Sequence, residues 1–262
     1  MLLEISGLFM HYDNQALFEG LSLQMQEGEI VALLGPNGCG KTTLLDCVIG
    51  YRQYEKGLIR LSGADAKKLS VKEKARQIAY VPQGASHIFP FTVTQMVLMG
   101  RTPYLKSTAS PSKKDYEIAF EAMETLGIEK FKERVFGSLS DGEKQLVLIA
   151  RALAQDSKII LLDEPTSSLD IKNEIMVLAK IKKLVGIKNK SLLMATHQPN
   201  HVFFLEQGNI PVKAAMFAGK KIKYFGSPEK AVNEKTIQEV YNVNCNIVEY
   251  KNSLKTIIVE ED

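Results

Sequence analysis

Apolar and polar residues alternate in some segments of the 262-residue chain and form unbroken apolar runs in others. The stretch Leu2–Leu8 alternates, which predicts a strand with one buried face. Unbroken runs at Ile30–Leu34, Ile159–Leu162 and Leu192–Ala195 are typical of parallel strands that are covered on both faces. Residues 92–155 have mainly helical periodicity. These patterns predict an α/β chain in which a helical stretch is inserted between strands.

Turn and cap residues indicate where further elements begin and end. Ser112 precedes the apolar positions of a predicted helix, and Gly50 follows another helix as a candidate C-cap. Gly219–Lys220 predicts a turn between two strands. Ser227–Pro228 predicts a helix start, because proline is favoured in the first helical turn. The chain after residue 210 is therefore expected to contain a hairpin followed by a helix.

Length and composition are those of one large globular domain. The chain is 45% hydrophobic and 24% charged, and its net charge of +3 is too small to indicate a nucleic-acid partner. No run approaches the ~20 apolar residues of a membrane span, and no secretion signal is visible. The three cysteines form no C-x-x-C pair, which favours a reducing compartment. We expect a single domain over residues 1–262, with a helical subdomain at 89–155 inserted into a part formed by 1–88 and 156–262.

The segment Gly35–Thr43 matches G-x-x-x-x-G-K-[ST], the loop that cradles phosphates in nucleotide triphosphatases. It lies between a predicted buried strand and a predicted helix, which is the context that this loop requires. Glycines let the backbone wrap around phosphate oxygens, and the helix N-terminus adds N–H donors and a positive dipole end. Lys41 would reach the β- and γ-phosphates, and Thr42 would hold Mg²⁺. The simpler alternative is a glycine-rich turn that only caps a helix.

Two acidic residues follow the apolar run Ile159–Leu162. The apolar residues would bury the strand and place Asp163 at its carboxyl end, where ligands bind in open α/β sheets. Asp163 would bind Mg²⁺ through its water shell, and Glu164 would orient or deprotonate an attacking water. Such acid pairs occur at many strand ends, so this one becomes informative only because a phosphate loop precedes it.

The segment Leu139–Gln145 opens a further predicted helix. Ser140 and Glu143 fit the S-x-x-E capping box, which is a structural role. A capped helix N-terminus that carries Gly142 is also an anion site. The sequence therefore leaves both roles open for this segment.

Together these segments resemble the nucleotide-binding subunit of ATP-binding cassette (ABC) transporters. Leu139–Gln145 is similar to the family signature L-S-G-G-Q, from which Asp141 and Glu143 depart. Further matches are Tyr12 to the A-loop aromatic, Gln83 to the Q-loop, Ser167–Asp170 to the D-loop and Thr196–His197 to the H-loop. The resemblance spans about residues 2–225, with the motifs in family order. It implies a P-loop NTPase (RecA-like) core with an antiparallel β-subdomain and an inserted α-helical subdomain.

The resemblance also implies a site that two copies build around ATP and Mg²⁺. Each phosphate loop would face the signature helix of the other copy, head to tail. The implied nucleotide contacts are Tyr12, Gly35, Asn37, Gly38, Cys39, Gly40, Lys41, Thr42, Thr43, Ser140, Gly142, Glu143 and Asp170. The implied Mg²⁺ ligands are Thr42, Gln83 and Asp163, and the implied catalytic residues are Glu164, His197, Gln83 and Lys41. The carboxylate of Asp141 is expected to point away from the phosphates.

The segment Phe89–Tyr104 resembles the corresponding part of type II importers for iron chelates, haem, cobalamin and some oxyanions. Residues 197–201 and 226–229 also resemble that group. In the group this surface receives a permease helix, although ordinary core packing would explain the same apolar residues. We therefore expect a peripheral homodimer on the cytoplasmic face of the inner membrane. Its partners would be two transmembrane permease subunits and, indirectly, an extracytoplasmic substrate-binding protein, with no nucleic acid.

Other functions are compatible with parts of the sequence. A non-transport cassette of translation or DNA repair usually has two cassettes or a long coiled coil, and neither is visible here. A switch GTPase is not supported, because Asn189-Lys190 is followed by Ser191-Leu192 and no N-K-x-D motif results. An export cassette would keep the same chemistry. His197 and His201 are four residues apart, but Pro199 lies between them and no H-E-x-x-H occurs, so zinc is not expected.

Overall fold

The computed structural model of the chain describes residues 1–12, 15–84, 90–106, 109–208, 210–250 and 254–260. Within these residues the strands are β1 (Leu3–Tyr12), β2 (Gln15–Met25), β3 (Ile30–Leu34), β4 (Lys56–Leu61), β5 (Ala64–Asp65), β6 (Ile78–Val81), β7 (Ile159–Asp163), β8 (Ser191–Thr196), β9 (Val212–Ala218), β10 (Lys221–Gly226), β11 (Cys245–Tyr250) and β12 (Leu254–Val259). The α-helices are α1 (Lys41–Ile49), α2 (Val71–Gln77), α3 (Val93–Leu98), α4 (Lys113–Leu126), α5 (Asp141–Ala154), α6 (Ile171–Lys188), α7 (Asn200–Glu206), α8 (Pro228–Ala231) and α9 (Glu234–Tyr241). The predicted α/β fold is confirmed.

The chain divides into two compact units. Unit 1 is formed by residues 1–69 and 182–262, and unit 2 by residues 70–181. The helical subdomain predicted at 89–155 begins at Phe89, which lies outside the described residues, and its limits stay a prediction. None of the helices in the described ranges has both the length and the apolar character that a membrane crossing requires.

Unit 1 contains an antiparallel sheet with the order β2-β1-β4-β5. Ile5 of β1 pairs with Leu23 of β2 on one side and with Ile59 of β4 on the other. All three side chains are buried. Residues that oppose one another across neighbouring strands point to the same face, so the alternating pattern near the N-terminus produces one apolar face. The antiparallel character predicted for this region is confirmed.

The other main sheet of unit 1 is built on β3, which is buried along its whole length. β3 pairs in parallel with β8 on one side and with β9 on the other, and β10 pairs antiparallel with β9. The register places Leu34, the last residue of β3, between Thr196 and Met216. The chain therefore leaves β3 and β8 at the same edge. Gly219 and Lys220 form the predicted turn between β9 and β10, with φ of 57° and 66°.

Unit 2 contains β6 and β7, which pair in parallel from Ile78 with Ile159 to Val81 with Leu162. Helices α3, α4 and α5 pack against one another. Capping boxes begin α2, α3, α4 and α5, with Ser70, Thr92, Ser112 and Ser140 as the N-caps. The predicted caps at Ser112 and Ser140 are thus confirmed. These boxes explain why polar residues precede each apolar helical run.

Two predicted helix ends in unit 1 are also present. Gly50 ends α1 with φ of 93°, and its N–H donates to the carbonyl of Asp46. A left-handed residue at this place is the common helix stop, and glycine adopts it without strain. Ser227 precedes α8 with Pro228 in the first turn, as predicted, but its side chain makes no capping hydrogen bond. The start of α8 therefore depends on proline rather than on a side-chain cap.

A buried ion pair joins the helices of unit 2. Nε of Arg101 donates to Oδ1 of Asp115 at 2.9 Å, and its Nη1 donates to the carbonyl of Ala154 at 2.8 Å. The guanidinium carbon lies 4.1 Å from the ring centroid of Tyr104. Because the Ser112 hydroxyl and the Arg101 guanidinium both bond to the carboxylate, the pKa of Asp115 is lowered to about 2. The pair connects the start of α4 with the end of α5.

We predict that Asp115→Ala lowers the free energy of unfolding by about 3–5 kcal/mol, because it leaves a buried guanidinium without its carboxylate. Urea unfolding at neutral pH measures this loss. Since the folded-state pKa of Asp115 is lowered, its stabilisation should be complete above about pH 4 and disappear as the pH falls towards 2.

The matched control is Glu117→Ala in the same helix, which removes an exposed carboxylate 3.9 Å from Lys113. This change should have a much smaller effect on the unfolding midpoint, because exposed pairs contribute little. Equal losses of unfolding free energy in the two variants would show that the buried ion pair with Arg101 stabilises the fold no more than an exposed pair does.

Candidate functional site

The phosphate loop predicted at Gly35–Thr43 lies in unit 1 between β3 and α1. Gly38 and Gly40 have φ of 81° and 102°, a left-handed conformation that glycine adopts without strain. Gly40 is the N-cap of α1, so the first N–H groups of this helix face the loop as donors. The predicted strand, loop and helix therefore follow one another as the phosphate-binding motif requires.

Two glycines of the loop also pack closely against side chains. A Cβ on Gly40 would lie 2.9 Å from a ring carbon of Phe18. A Cβ on Gly35 would lie 2.7 Å from Sγ of Cys39 and 3.1 Å from Cβ of Phe217. Protein interiors do not tolerate such approaches without a shift of the neighbours. The conformation of the loop is thus fixed by its packing within unit 1.

Lys41 closes the loop at its C-terminal end. Its Nζ donates to the carbonyl of Gly35 at 2.8 Å and to that of Pro36 at 3.1 Å, and the side chain is buried. A phosphate oxygen would be a stronger partner for this ammonium than a neutral carbonyl. Thr42 is exposed at the start of α1, and Thr43 is half-buried. The position of Lys41 is compatible with the phosphate-binding role predicted for it.

A cavity of about 930 Å³ opens beside the loop within unit 1. Its lining includes Pro36, Gly38 and Cys39 of the loop, Gln15–Leu17 of β2 and the β9–β10 turn. Small-molecule sites commonly have volumes of about 300–1,000 Å³. The loop therefore borders a space that is large enough for a nucleotide.

Tyr12 ends β1 and is 51% exposed, so its ring is accessible to a stacking partner. The guanidinium carbon of Arg52 lies 5.1 Å from the ring centroid of Tyr12. The residue before it is held in place, because the backbone N–H of His11 donates to Glu55 at 2.9 Å and its Nδ1 lies 2.8 Å from the same oxygen. Tyr12 thus presents an aromatic surface at a defined place, which suits the adenine-stacking role predicted for it.

His197 follows β8 at the edge where the phosphate loop begins. Because Leu34 and Thr196 are paired, Gly35 and His197 are the next residues on adjacent strands. His197 is half-buried. Parallel strands bring the residues after their carboxyl ends to one edge, and this edge is where α/β sheets bind ligands. Unit 1 therefore brings two of the predicted motifs together.

Unit 2 brings Gln83 and Glu164 together in the same way. Val81 pairs with Leu162 across β6 and β7, so the residues after them leave adjacent strands. Nε2 of Gln83 lies 3.5 Å from Oε2 of Glu164 and 3.3 Å from Oγ of Ser167. The side chain of Gln83 thus links Glu164 with Ser167, the first residue of the predicted D-loop.

Asp163 is buried at the end of β7, and Glu164 directly after it is half-buried. The hydroxyl of Tyr80 donates to Oδ2 of Asp163 at 3.2 Å. Glu164 has φ of 43°, a left-handed conformation that is uncommon outside glycine and often accompanies functional sites. The hydrogen bond between Tyr80 and Asp163 was not predicted, because the position of a residue in a strand does not indicate which side chain of a neighbouring strand it contacts.

The helix compared with the family signature begins as predicted. The backbone N–H of Ser140 donates to Oε2 of Glu143 at 2.9 Å, and the N–H of Glu143 donates to Oγ of Ser140 at 3.4 Å. Ser140 is exposed. Oδ1 of Asp141 lies 3.2 Å from Nζ of Lys144, so its charge is paired along the helix. The capping role of Ser140 and Glu143 is confirmed, and their contacts with a nucleotide stay a prediction.

Gly142 is buried against another element of unit 2. A Cβ at this position would lie 2.9 Å from Cγ and Oδ1 of Asn173 in α6. Asn173 in turn donates its backbone N–H to Oδ1 of Asp170 at 2.8 Å and its Nδ2 to Oδ2 at 3.1 Å. Asn173, which was not predicted from the sequence, therefore connects Asp170 with the start of α5. A side chain at position 142 would therefore collide with Asn173, and the contact of Gly142 with a nucleotide stays a prediction.

The residues predicted to bind Mg²⁺ offer oxygen atoms of a hydroxyl, an amide and a carboxylate, from Thr42, Gln83 and Asp163. Mg²⁺ prefers oxygen ligands and is usually bound by one or two carboxylates together with phosphate oxygens and water. In the part of the chain that the structure describes, no cluster of three or more His, Cys, Asp or Glu side chains could hold a metal ion. Each of the three groups is thus of a kind that Mg²⁺ binds, and a Mg²⁺ site stays a prediction.

Comparison with known sequences places the chain in a family. Residues 18–167, more than half of the chain, match the profile of the ABC transporter family. The molybdate import ATP-binding protein MolC of Haemophilus influenzae is 39% identical over 76% of this chain and 74% of its own length. A Helicobacter pylori protein named as a probable iron chelatin transport ATP-binding protein is 33% identical over 97% of this chain and 98% of its own length.

Comparison with solved structures agrees. A chain of an ABC transporter described as being of metal-chelate type, solved in an inward-facing conformation, is 32% identical. It has a TM-score of 0.86 and covers 99% of this chain and 98% of its own length. The predicted P-loop cassette fold is confirmed, and so is the predicted enzyme class, because ATP-binding proteins of this family are ATPases. The chain therefore belongs to the ABC transporter family, in which it is an ATP-binding subunit.

Proposed function

We propose that this chain binds and hydrolyses ATP to drive an importer whose cargo is a metal chelate or an oxyanion. The main observation in support of ATP binding is the parallel pairing of β3 with β8. Because of this pairing, the phosphate loop and His197 follow adjacent strands at the same edge. The relatives named for molybdate and for iron chelatin support this class of cargo. Iron siderophores, haem and cobalamin are the chelates considered, and an export cassette or a non-transport ATPase is the alternative function.

The nucleotide would be bound mainly by groups of unit 1. Adenine stacks on Tyr12, and the phosphates lie within the loop Gly35–Thr43, against its backbone N–H groups and the first turn of α1. Lys41 exchanges the carbonyls of Gly35 and Pro36 for the β- and γ-phosphates, which gives it charge-assisted hydrogen bonds. Thr42, exposed at the start of α1, turns its hydroxyl towards Mg²⁺. The loop residues assigned to this role are Gly35, Asn37, Gly38, Cys39, Gly40, Lys41, Thr42 and Thr43.

Hydrolysis would be performed by positioning and by electrostatic stabilisation. Mg²⁺, when bound, neutralises the charge of the β- and γ-phosphates. Glu164 accepts the proton of the attacking water, and His197 holds the γ-phosphate and orients that water. Asp163 and Gln83 supply oxygen atoms on the metal side. Gln83 also bonds to Glu164 and Ser167, so it would link the Mg²⁺ site with the helical part of unit 2.

The site would be completed by a second copy of the chain. ABC cassettes work as dimers with transmembrane permease subunits. In the proposed homodimer Ser140, Gly142, Glu143 and Asp170 of one copy contact the nucleotide of the other. The exposure of Ser140 supports this assignment. Because Asn173 bonds to Asp170 and packs on Gly142, these groups would approach the nucleotide as one element.

The homodimer would lie at the cytoplasmic face of the inner membrane, on two permease subunits that receive cargo from an extracytoplasmic binding protein. In unit 2 the described residues 90–104 include Met99 and Tyr104, which are 38% and 36% exposed. Partly exposed apolar side chains of this kind suit contact with an amphipathic helix. We assign this segment to contact with the permease.

We predict that Glu164→Gln lowers ATP turnover by at least about 100-fold and changes ATP affinity less than about threefold. The amide keeps the shape of the side chain but cannot accept a proton from water. Phosphate release measures turnover, and equilibrium binding with size-exclusion chromatography measures ATP retention and the ATP-dependent dimer. Glu133→Gln, at an exposed glutamate of the same unit, is the control. Wild-type turnover in Glu164→Gln would remove this residue from its assigned role.

Lys41→Ala should weaken both binding and turnover, each by at least about tenfold, because a buried ammonium that faces the phosphates is lost. Binding of a fluorescent ATP analogue and phosphate release measure the two effects separately. Lys68→Ala removes an exposed lysine of the same unit and should leave both values unchanged. Unaltered ATP affinity in Lys41→Ala would place the nucleotide elsewhere.

The nature of the partner can be tested with the wild-type protein. ATPase activity should rise when membrane vesicles from the source cells, which contain the permease, are added, and should not change with purified ribosomes or duplex DNA. Stimulation by ribosomes or by DNA would instead favour a non-transport cassette. A preference for GTP over ATP would contradict the assignment of Tyr12 and the phosphate loop to ATP.

A further inference from the structure

The segment that carries His197 is tied back to the sheet by a buried side-chain cluster that consists of Thr196 and His201. Oγ1 of Thr196 lies 2.8 Å from Nδ1 of His201. The backbone N–H of Gln198 donates to the same Oγ1 at 3.1 Å. Thr196 is 2% exposed and His201 4% exposed, so water does not compete for these bonds. The Thr196 hydroxyl thus bonds both to Gln198, directly after His197, and to His201 in the first turn of α7.

The backbone of this segment leaves little freedom around His197. The N–H of His201 donates to the carbonyl of Gln198 at 3.2 Å, and the N–H of Val202 donates to that of Pro199 at 3.1 Å. Proline fixes its own φ near −65°, and here φ is −63°. Between Thr196 and α7 there are only three residues, and His197 is the first of them. The backbone at His197 is therefore held by bonded residues on both of its sides.

The start of α7 is also held from its outer side. Oδ1 of Asn200 accepts a hydrogen bond from the backbone N–H of Ile257 in β12, at 2.9 Å. β12 pairs with β11 along its length and packs against α7. The C-terminal hairpin formed by β11 and β12 therefore contacts the same helical turn that the Thr196 cluster holds from within.

We propose that Thr196, His201 and Asn200 are positioning residues that fix the direction of His197 towards the nucleotide. Thr196 and His201 stabilise the segment from its buried side, and Asn200 bonds it to the C-terminal hairpin. This inference rests on the proposed function, in which His197 holds the γ-phosphate. It gives His201 a structural role, because its Nδ1 lies within hydrogen-bonding distance of the Thr196 hydroxyl. In either tautomer of the imidazole the bond to the threonine hydroxyl is retained.

The test is Thr196→Val, which keeps the shape of the side chain and removes the hydroxyl. We expect kcat to fall about tenfold and KM for ATP to change less than about twofold, because ATP binding depends on the loop rather than on His197. Thr196→Ser retains the hydroxyl and should restore kcat to near the wild-type value.

The matched control is Thr236→Val. Thr236 is also buried in unit 1, and its hydroxyl donates to the carbonyl of Ala231 at 2.9 Å and accepts from the N–H of Asn233 at 3.0 Å. This variant should lose thermal stability without loss of kcat. An equal fall of kcat in both threonine variants would show a general effect of destabilisation and overturn the proposal.

A double-mutant cycle separates positioning from stability. In a His197→Ala background, Thr196→Val should cause no further loss of kcat, because the group that it positions is gone. Two losses that multiply in the double variant would overturn the proposal. If His197→Ala alone left kcat unchanged, the proposed function would fail instead, and the two failures are thus distinguishable.

Asn200→Ala tests the outer contact at an exposed position, where folding is not at risk. We expect kcat to fall about threefold with an unchanged KM, and this loss should also disappear in the His197→Ala background. This variant keeps the proposal testable if Thr196→Val does not fold. A wild-type kcat in Asn200→Ala would remove the hairpin from the positioning of His197.

Discussion

The register between β3 and β8 is the constraint on which the candidate site depends. Leu34 and Thr196 are paired, and each is the last residue of a fully buried strand. A shift of one residue would turn every side chain of a strand to the opposite face, and close packing on both faces of these buried strands makes such a shift costly. Gly35 and His197 are therefore delivered to one edge by the same hydrophobic packing that forms the core.

In unit 2, parallel strand pairing likewise brings together residues of the candidate site, here an amide and a carboxylate. Parallel pairing of β6 with β7 ends at Val81 and Leu162, and Gln83 lies within hydrogen-bonding distance of Glu164 just beyond that point. The left-handed backbone of Glu164 occurs at this edge. In each unit, short buried strands place polar residues immediately after their last paired position. Strand register thus determines which residues of the candidate site begin at the same edge of a sheet.

Much of the fold was predictable because it depends on local patterns. The apolar runs of β3, β7 and β8, the capping boxes at Ser112 and Ser140, and the glycine that ends α1 are all encoded within a few residues. The phosphate loop was equally predictable, since its glycines and Lys41 follow one another in sequence. The capping box at Ser140 was identified as a structural role, and the structure confirms it without testing the nucleotide contact.

Contacts between distant residues could not be predicted in this way. The packing of Asn173 on Gly142, the buried pair of Arg101 with Asp115 and the bond of Tyr80 to Asp163 join different elements. Each depends on how helices and strands pack, which a single sequence does not specify. His201 is a further example, because its spacing from His197 gives no indication that its Nδ1 lies beside the hydroxyl of Thr196.

The most direct test of the proposed nucleotide site is an experimental structure of the protein with Mg²⁺ and a non-hydrolysable ATP analogue. We expect two copies of the chain around two nucleotides. Each γ-phosphate should lie within hydrogen-bonding distance of Lys41 Nζ and the His197 imidazole of one copy, and of Ser140 of the other. A nucleotide bound away from the loop, with Lys41 still on the carbonyls of Gly35 and Pro36, would contradict it.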